Sequence, residues 1–261
     1  MESNTKKVML QVANIIGPIL IFIILSLLSL GQGDFREIFE PAGNESLIDP
    51  INFAFAIWGP IFLFLIIYLI YQARDIFKKP EDKIKMPYVF QIGPFFILST
   101  LMASLWYLIW LYRIIWLATL CMVVYLIFLV AAYLRLDINL KQRTTLEKIT
   151  VYVSWSMYTA WVTAATIVSI TTLMVSSGFN NPPLIPDAIW GIIVLLVALF
   201  IYTLVLIMRN DVVFAGVGIW VLFGILMERL LAPILVIEII ITCIIGIIIL
   251  SVAIIYQIVR K

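Results

Sequence analysis

Apolar runs of about 20 residues recur along the whole chain, parted by short charged or turn-forming stretches, and few folds accept such a pattern. A helix needs about that many apolar residues to cross the hydrocarbon core of a bilayer. Composition agrees: the 261 residues are 64% hydrophobic and 12% charged, with mean hydropathy +1.14, whereas a soluble domain carries about 25% charged residues. The expected fold class is therefore all-α, a polytopic membrane helix bundle whose first partner is the lipid bilayer.

Eight transmembrane helices are expected, at residues 8–30, 51–73, 88–109, 114–135, 148–177, 187–208, 211–228 and 231–259. The connections test that count. Residues 32–50 carry five acids against Arg36, residues 74–87 carry five bases, and residues 135–148 carry four. With eight spans, 14 of the 17 lysines and arginines fall on one side, and only Arg36, Arg113 and Arg229 on the other. Basic loops stay inside, so both termini are expected in the cytoplasm. The narrowest divider is "MERLLAP" (227–233), which must turn the chain between spans seven and eight. "SLGQ" (29–32) offers small residues for cleavage, but the 23-residue run at 8–30 exceeds a usual signal-peptide core, so the first helix is expected to be retained. Asn44-Glu45-Ser46 is a glycosylation sequon on the side opposite the basic loops.

Three of the first spans carry a Gly-Pro pair: Gly17-Pro18, Gly59-Pro60 and Gly93-Pro94. A proline removes the helical hydrogen bond to the residue four before it, which frees the carbonyls of Asn14, Ala56 and Phe90. Membrane helices tolerate such kinks, and kinks in three neighbouring spans would also splay a bundle around an internal space.

The aromatic residues suggest what such a space would hold. Of eight tryptophans, Trp116, Trp190 and Trp110 lie near expected span ends, where an interfacial belt is the default. Trp58 and Trp161 sit deeper, and Trp106 has Trp110 one turn later on the same face. Buried tryptophans usually only pack. Here Tyr158 lies three residues before Trp161, and Ala160, Ala164, Ala165 and Ser169 line the same span. Small side chains allow close helix approach or leave room beside the rings for a flat ligand.

These segments resemble the translocator protein/tryptophan-rich sensory protein (TspO/MBR) family. "MYTAWVTAATIVS" (157–169) is similar to its fifth-helix motif, with Tyr158, Trp161, Ala165 and Thr166 matching. "PINFAFAIWGPIF" (50–62) resembles the second-helix motif through Pro50, Phe53, Phe55 and Trp58, and "SLWYLIWLY" (104–112) the third. Met157 stands where the family has proline, and Ser169 where it usually has asparagine. The resemblance covers residues 8–178, so 1–178 is expected as a five-helix unit and 179–261 as three additional helices, serving as cover for the bundle or as a homo-oligomer surface. It implies a pocket for a tetrapyrrole or sterol-like molecule, with Trp58, Trp106, Tyr158, Trp161 and Ala165 as its residues. Offset stacking on a flat conjugated ring adds about 0.5–1.5 kcal/mol per contact.

One charge interrupts a late apolar run. Glu238, in "ILVIEIIITC", is expected about 10 Å into span eight at 1.5 Å per residue. An ionised group near the bilayer centre costs about 2.5–3.5 kcal/mol, so Glu238 is either an ion or proton site or is satisfied by Thr242 or Arg229. Two functions follow: a binding, sensing or translocating protein for a flat hydrophobic ligand, or a secondary transporter of a small solute using Glu238. An enzyme ranks last. The chain has no histidine, no phosphate-binding loop and no paired acids within a span. Cys121 and Cys243 lie inside apolar runs and read as packing residues. No cofactor, no metal site and no nucleic acid partner is expected.

Overall fold

A computed structural model describes residues 2–30, 45–179 and 185–260. The sequon asparagine and the acids of residues 34–40 lie outside that range. Ten α-helices are described: α1 (Glu2–Leu28), α2 (Trp58–Ala73), α3 (Pro87–Ile92), α4 (Phe95–Leu111), α5 (Ile115–Arg135), α6 (Thr145–Glu147), α7 (Val153–Ser176), α8 (Asp187–Arg209), α9 (Val212–Leu231) and α10 (Ile237–Val259). A 3-10 stretch, Asn52–Ile57, leads into α2, and a π-helical turn, Lys148–Tyr152, leads into α7. Among the described residues there is no strand, and seven helices are long and apolar enough to cross a membrane, with Phe95–Leu111 a shorter eighth. The protein is a polytopic helical membrane protein.

The three Gly-Pro pairs behave in three ways. α1 runs unbroken through Pro18, and the bare Gly17 lets Ile97 of α4 come close, since a Cβ there would lie 3.2 Å from Ile97 Cγ1. Pro60 falls in the first turn of α2, where an N–H has no helical partner to lose. Only the third pair breaks its span. Gly93 takes φ +51° and ends α3, and Pro94 is the N-cap of α4. The expected third span is thus two helices, and the carbonyl of Phe90 accepts from the Arg135 guanidinium at 3.3 Å.

The chain divides into two compact units that interleave along the sequence: residues 1–34 with 59–159, and residues 35–58 with 160–261. Neither is a continuous segment.

In the first unit, α1 packs on α3 and α4, and α5 on α3 and α4. Its core holds Tyr68, Tyr88, Tyr125, Leu129 and Trp155. α1 is tied to the end of α2 by polar groups. Lys7, Gln11 and Asn14 recur at i, i+4 and i+7, as do Tyr68, Gln72 and Asp75, and the two ladders zip together. Lys7 Nζ lies 2.5 Å from Asp75 Oδ2. Gln11 Nε2 donates to Asp75 Oδ1 at 2.8 Å, Asn14 Nδ2 to Gln72 Oε1 at 3.4 Å, and the Tyr68 hydroxyl to Gln72 Oε1 at 3.1 Å. Where lipid offers no hydrogen bonds, side-chain amides bonding to one another hold helices together.

In the second unit, α8, α9 and α10 pack against one another. A tight turn joins α8 to α9. Asn210 adopts the left-handed conformation at φ 52°, which asparagine tolerates, and Asp211 Oδ1 caps α9 by accepting from the Phe214 N–H at 3.0 Å. The turn between α9 and α10 occupies residues 232–236 around Pro233, so two helices are divided here, but only the Ala232-Pro233 end of "MERLLAP" lies in the turn and residues 227–231 complete α9.

Candidate functional site

The second unit builds its aromatic cluster on a short brace. Pro50 and the 3-10 stretch that follows present Phe53 and Phe55, and Trp58 opens α2. α9 holds this segment through its backbone and one indole. The Ile51 N–H donates to the Gly224 carbonyl at 3.1 Å, and Trp220 Nε1–H to the Ala54 carbonyl at 2.8 Å. Gly224 permits the approach: a Cβ there would lie 2.7 Å from Ala54 Cβ and 3.2 Å from Pro50 Cβ. Phe53 rests on Trp220 with centroids 5.5 Å apart.

Trp161, 2% exposed on α7, is the centre of the cluster. Its ring meets Phe55 at 5.5 Å and 87°, and Trp58 at 6.3 Å and 82°. Both are edge-to-face contacts, the geometry that the ring quadrupoles favour. The backbone of α7 is pinned beside it, because the Tyr202 hydroxyl of α8 donates to the Ala160 carbonyl at 2.9 Å. The buried indole N–H of Trp161 has no hydrogen-bond partner among the described residues, an unmet donor that costs about 1–3 kcal/mol. Ala165, one turn on, is half-buried.

The other two expected site residues belong to the first unit. Tyr158 is buried against Tyr125, ring centroids 5.8 Å apart with the two hydroxyls hydrogen-bonded, and 6.4 Å from Trp155. Trp106 is half-buried beside Trp110, centroids 5.9 Å apart. The structure thus joins Trp58 to Trp161 within one unit and Tyr158 to Tyr125 within the other.

Two aromatic residues are missing from the sequence reading, and a third enters it only through a motif. Trp155 is fully buried and touches Tyr68 at 6.1 Å and Phe96 at 6.0 Å. Its signal was its place three residues before Tyr158, on the same helical face. Phe55, three before Trp58, carries the same signal beyond its place in the motif. Tyr125 carried none.

Two cavities lie in the second unit. One of about 150 Å³ is bounded by Ser46, Ile48, Thr171, Phe179 and Trp190, with Glu45 and Asp187 at its edge. One of about 20 Å³ lies among Ala164, Tyr202 and Leu222. Drug-sized ligands occupy about 300–1,000 Å³, so neither holds a tetrapyrrole as it stands. Beside the larger one, Asp49 accepts from the Ser46 N–H at 2.9 Å and the Ser46 hydroxyl at 3.0 Å. Burial pushes the Asp49 carboxyl up to about 6, against the lowering effect of the Ser46 bonds; Glu45 raises it and Arg229 lowers it further.

Glu238 is a correction. α10 begins at Ile237, not near residue 231, so Glu238 lies in its first turn and is exposed. The depth of about 10 Å does not hold, because Pro233 and its neighbours form the connection although they are as apolar as a span. A carboxylate in the first turn suits the helix dipole and has no burial to offset. The Thr242 hydroxyl bonds the Glu238 carbonyl at 2.7 Å, not its carboxylate. Cys121 and Cys243 are both buried and free.

Comparison with known proteins adds one match. A family model described as TSPO-like protein covers residues 8–256, which includes the three helices beyond the five-helix resemblance. No curated protein and no solved structure matches the chain.

Proposed function

This chain belongs to the TSPO-like protein family, and from that premise we propose that it binds a flat hydrophobic molecule, a porphyrin or sterol-like ligand, which it senses or translocates. The observation that carries the proposal is Trp161: buried, edge-on to Phe55 and Trp58, with an indole N–H left without a partner among the described residues. A ligand that slides between these rings exchanges edge-to-face contacts for stacked ones, and a polar substituent on it accepts the Trp161 N–H. The rings part to admit it, since neither described cavity is lined by Phe55, Trp58 or Trp161. Tyr158, Trp106 and Ala165 are assigned to the same function by resemblance to the family motifs. The role is binding, without a chemical step on the ligand. Both termini are assigned to the cytoplasm on the charge asymmetry of the loops.

Metal-free protoporphyrin titrated into the protein in detergent tests the reading through quenching of tryptophan fluorescence. The wild type is expected to quench saturably, and Trp58→Ala with Trp161→Ala to lose saturation. Trp116→Phe, whose side chain is exposed on α5, should titrate like the wild type. A double variant that titrates as the wild type does would remove the assigned pocket.

A further inference from the structure

We propose that the segment from Arg74 to Lys85 is a docking site for the phosphate headgroups of anionic lipids, with Phe77 as its apolar anchor. Phe77 is 100% exposed, four residues beyond the end of α2 at Ala73. An apolar ring exposed within a span faces lipid and needs no explanation. One held out in a charged loop does, unless the loop lies at the bilayer surface. Directly after it come Lys78 and Lys79, both exposed and neither ion-paired among the described residues, and Lys85 is exposed as well.

The segment is held rigid from its inner side, and that side consumes other charges. Lys7 Nζ pairs with Asp75 and donates to the Ile84 carbonyl at 2.8 Å. Lys83 Nζ donates to the carbonyls of Asp75 at 2.6 Å and Ile76 at 2.8 Å. The Ile84 N–H donates to Asp75 Oδ2 at 2.8 Å, and Asn4 Nδ2 to the Pro80 carbonyl at 3.2 Å. Arg74 is spent on Tyr71, its guanidinium 3.6 Å from the ring centroid, and on the Tyr88 hydroxyl at 2.9 Å. Lys78, Lys79 and Lys85 remain outward, opposed by the exposed Glu81 and Asp82.

A ring beside unpaired lysines, just past the end of a span, is the combination that seats in the headgroup region, the ring reaching the acyl boundary and the ammonium groups the phosphates. Charge complementarity and position both select an anionic lipid of the surrounding leaflet as the occupant. A basic cluster immediately beyond a membrane helix has this chemistry in general. Here the buried Lys7–Asp75 pair sets its shape.

Retention of phosphatidylglycerol against phosphatidylcholine by the full chain in detergent, read by native mass spectrometry, tests the site. The wild type is expected to retain phosphatidylglycerol preferentially. Each lysine removed in Lys78→Gln and Lys79→Gln should weaken retention about fivefold, Phe77→Ser should weaken it too, and Glu81→Gln with Asp82→Asn should strengthen it. All these positions are exposed, and unchanged thermal unfolding will verify that the variants fold. Equal retention of the two lipids, or variants that match the wild type, overturns the proposal. So does loss in the lysine variants with Phe77→Ser unaffected. Displacement by inorganic phosphate assigns the site to a free anion, and capture of an acidic soluble protein that survives lipid addition assigns it to a protein; either result overturns it.

Discussion

Lys7 and Asp75, 68 residues apart, form an ion pair at 2.5 Å in which the two side chains are 4% and 0% exposed. The pair closes the polar zipper between α1 and the end of α2, and every oxygen of the carboxylate is used: Oδ2 by Lys7 and the Ile84 N–H, Oδ1 by Gln11. A buried pair so fully bonded is costly to break.

Removing one partner strands the other. Asp75→Ala or Lys7→Met should lower unfolding stability by about 3–5 kcal/mol, and Lys7→Met with Asp75→Leu should recover much of that, as thermal unfolding in detergent will show. Burial alone would raise the Asp75 carboxyl, but bonds from Lys7, Gln11 and Ile84 and the charge of Lys7 hold it below its ordinary 3.8. A lowered folded value means that this stability is fully present above pH 3.8 and is lost only as pH falls through the folded value.

Asp49 has the opposite sign. With its folded value raised from 3.8 to about 6, its contribution is greatest below the ordinary value and is lost as pH rises toward 6. Asp49→Asn should flatten the stability profile between those limits and leave it unchanged at higher pH except for a constant offset. A wild-type unfolding temperature that stays level across that window would refute the assignment.

Two glycines two residues apart on α9 should respond differently to alanine. A Cβ on Gly218 would lie 2.6 Å from Tyr202 Cγ, and that ring is held by its bond to the Ala160 carbonyl. Gly218→Ala is expected to cost about 1–3 kcal/mol. Nothing lies within 4 Å of a Cβ on Gly216, so Gly216→Ala should be neutral or gain up to about 1 kcal/mol in helix propensity. Paired melting curves will separate them.

Trp220→Phe keeps a ring beside Phe53 but deletes the indole N–H bonded to the Ala54 carbonyl. The expected loss is about 0.5–1.5 kcal/mol. Because the Ala54 segment carries Phe55 and Trp58, porphyrin affinity should fall with it, and an unaltered dissociation constant would detach the brace from the binding reading.

Hydropathy is local and nearly additive along a chain, so the sequence by itself determined that this is a helical membrane protein and where most spans lie. The motif residues Trp58, Tyr158 and Trp161 drew attention for the same reason: aromatics at helical spacing are legible one segment at a time. Tertiary structure decided what no single segment contains. The i, i+4, i+7 ladders at Lys7 and at Tyr68 are each visible in the sequence, but their pairing depends on the register of α1 against α2, which packing sets. Trp161 meets Phe55 and Trp58 because Gly224 and Trp220 of a distant helix hold the segment before α2. Gly17, Gly59 and Gly93 precede identical prolines, yet only Gly93 breaks its helix, and the nearby Arg135 guanidinium meets the carbonyl that the break frees. Hydropathy alone draws Glu238 into a span because residues 232–236 are as apolar as one. Where a helix starts there was decided by Pro233 and its surroundings, not by a hydropathy average.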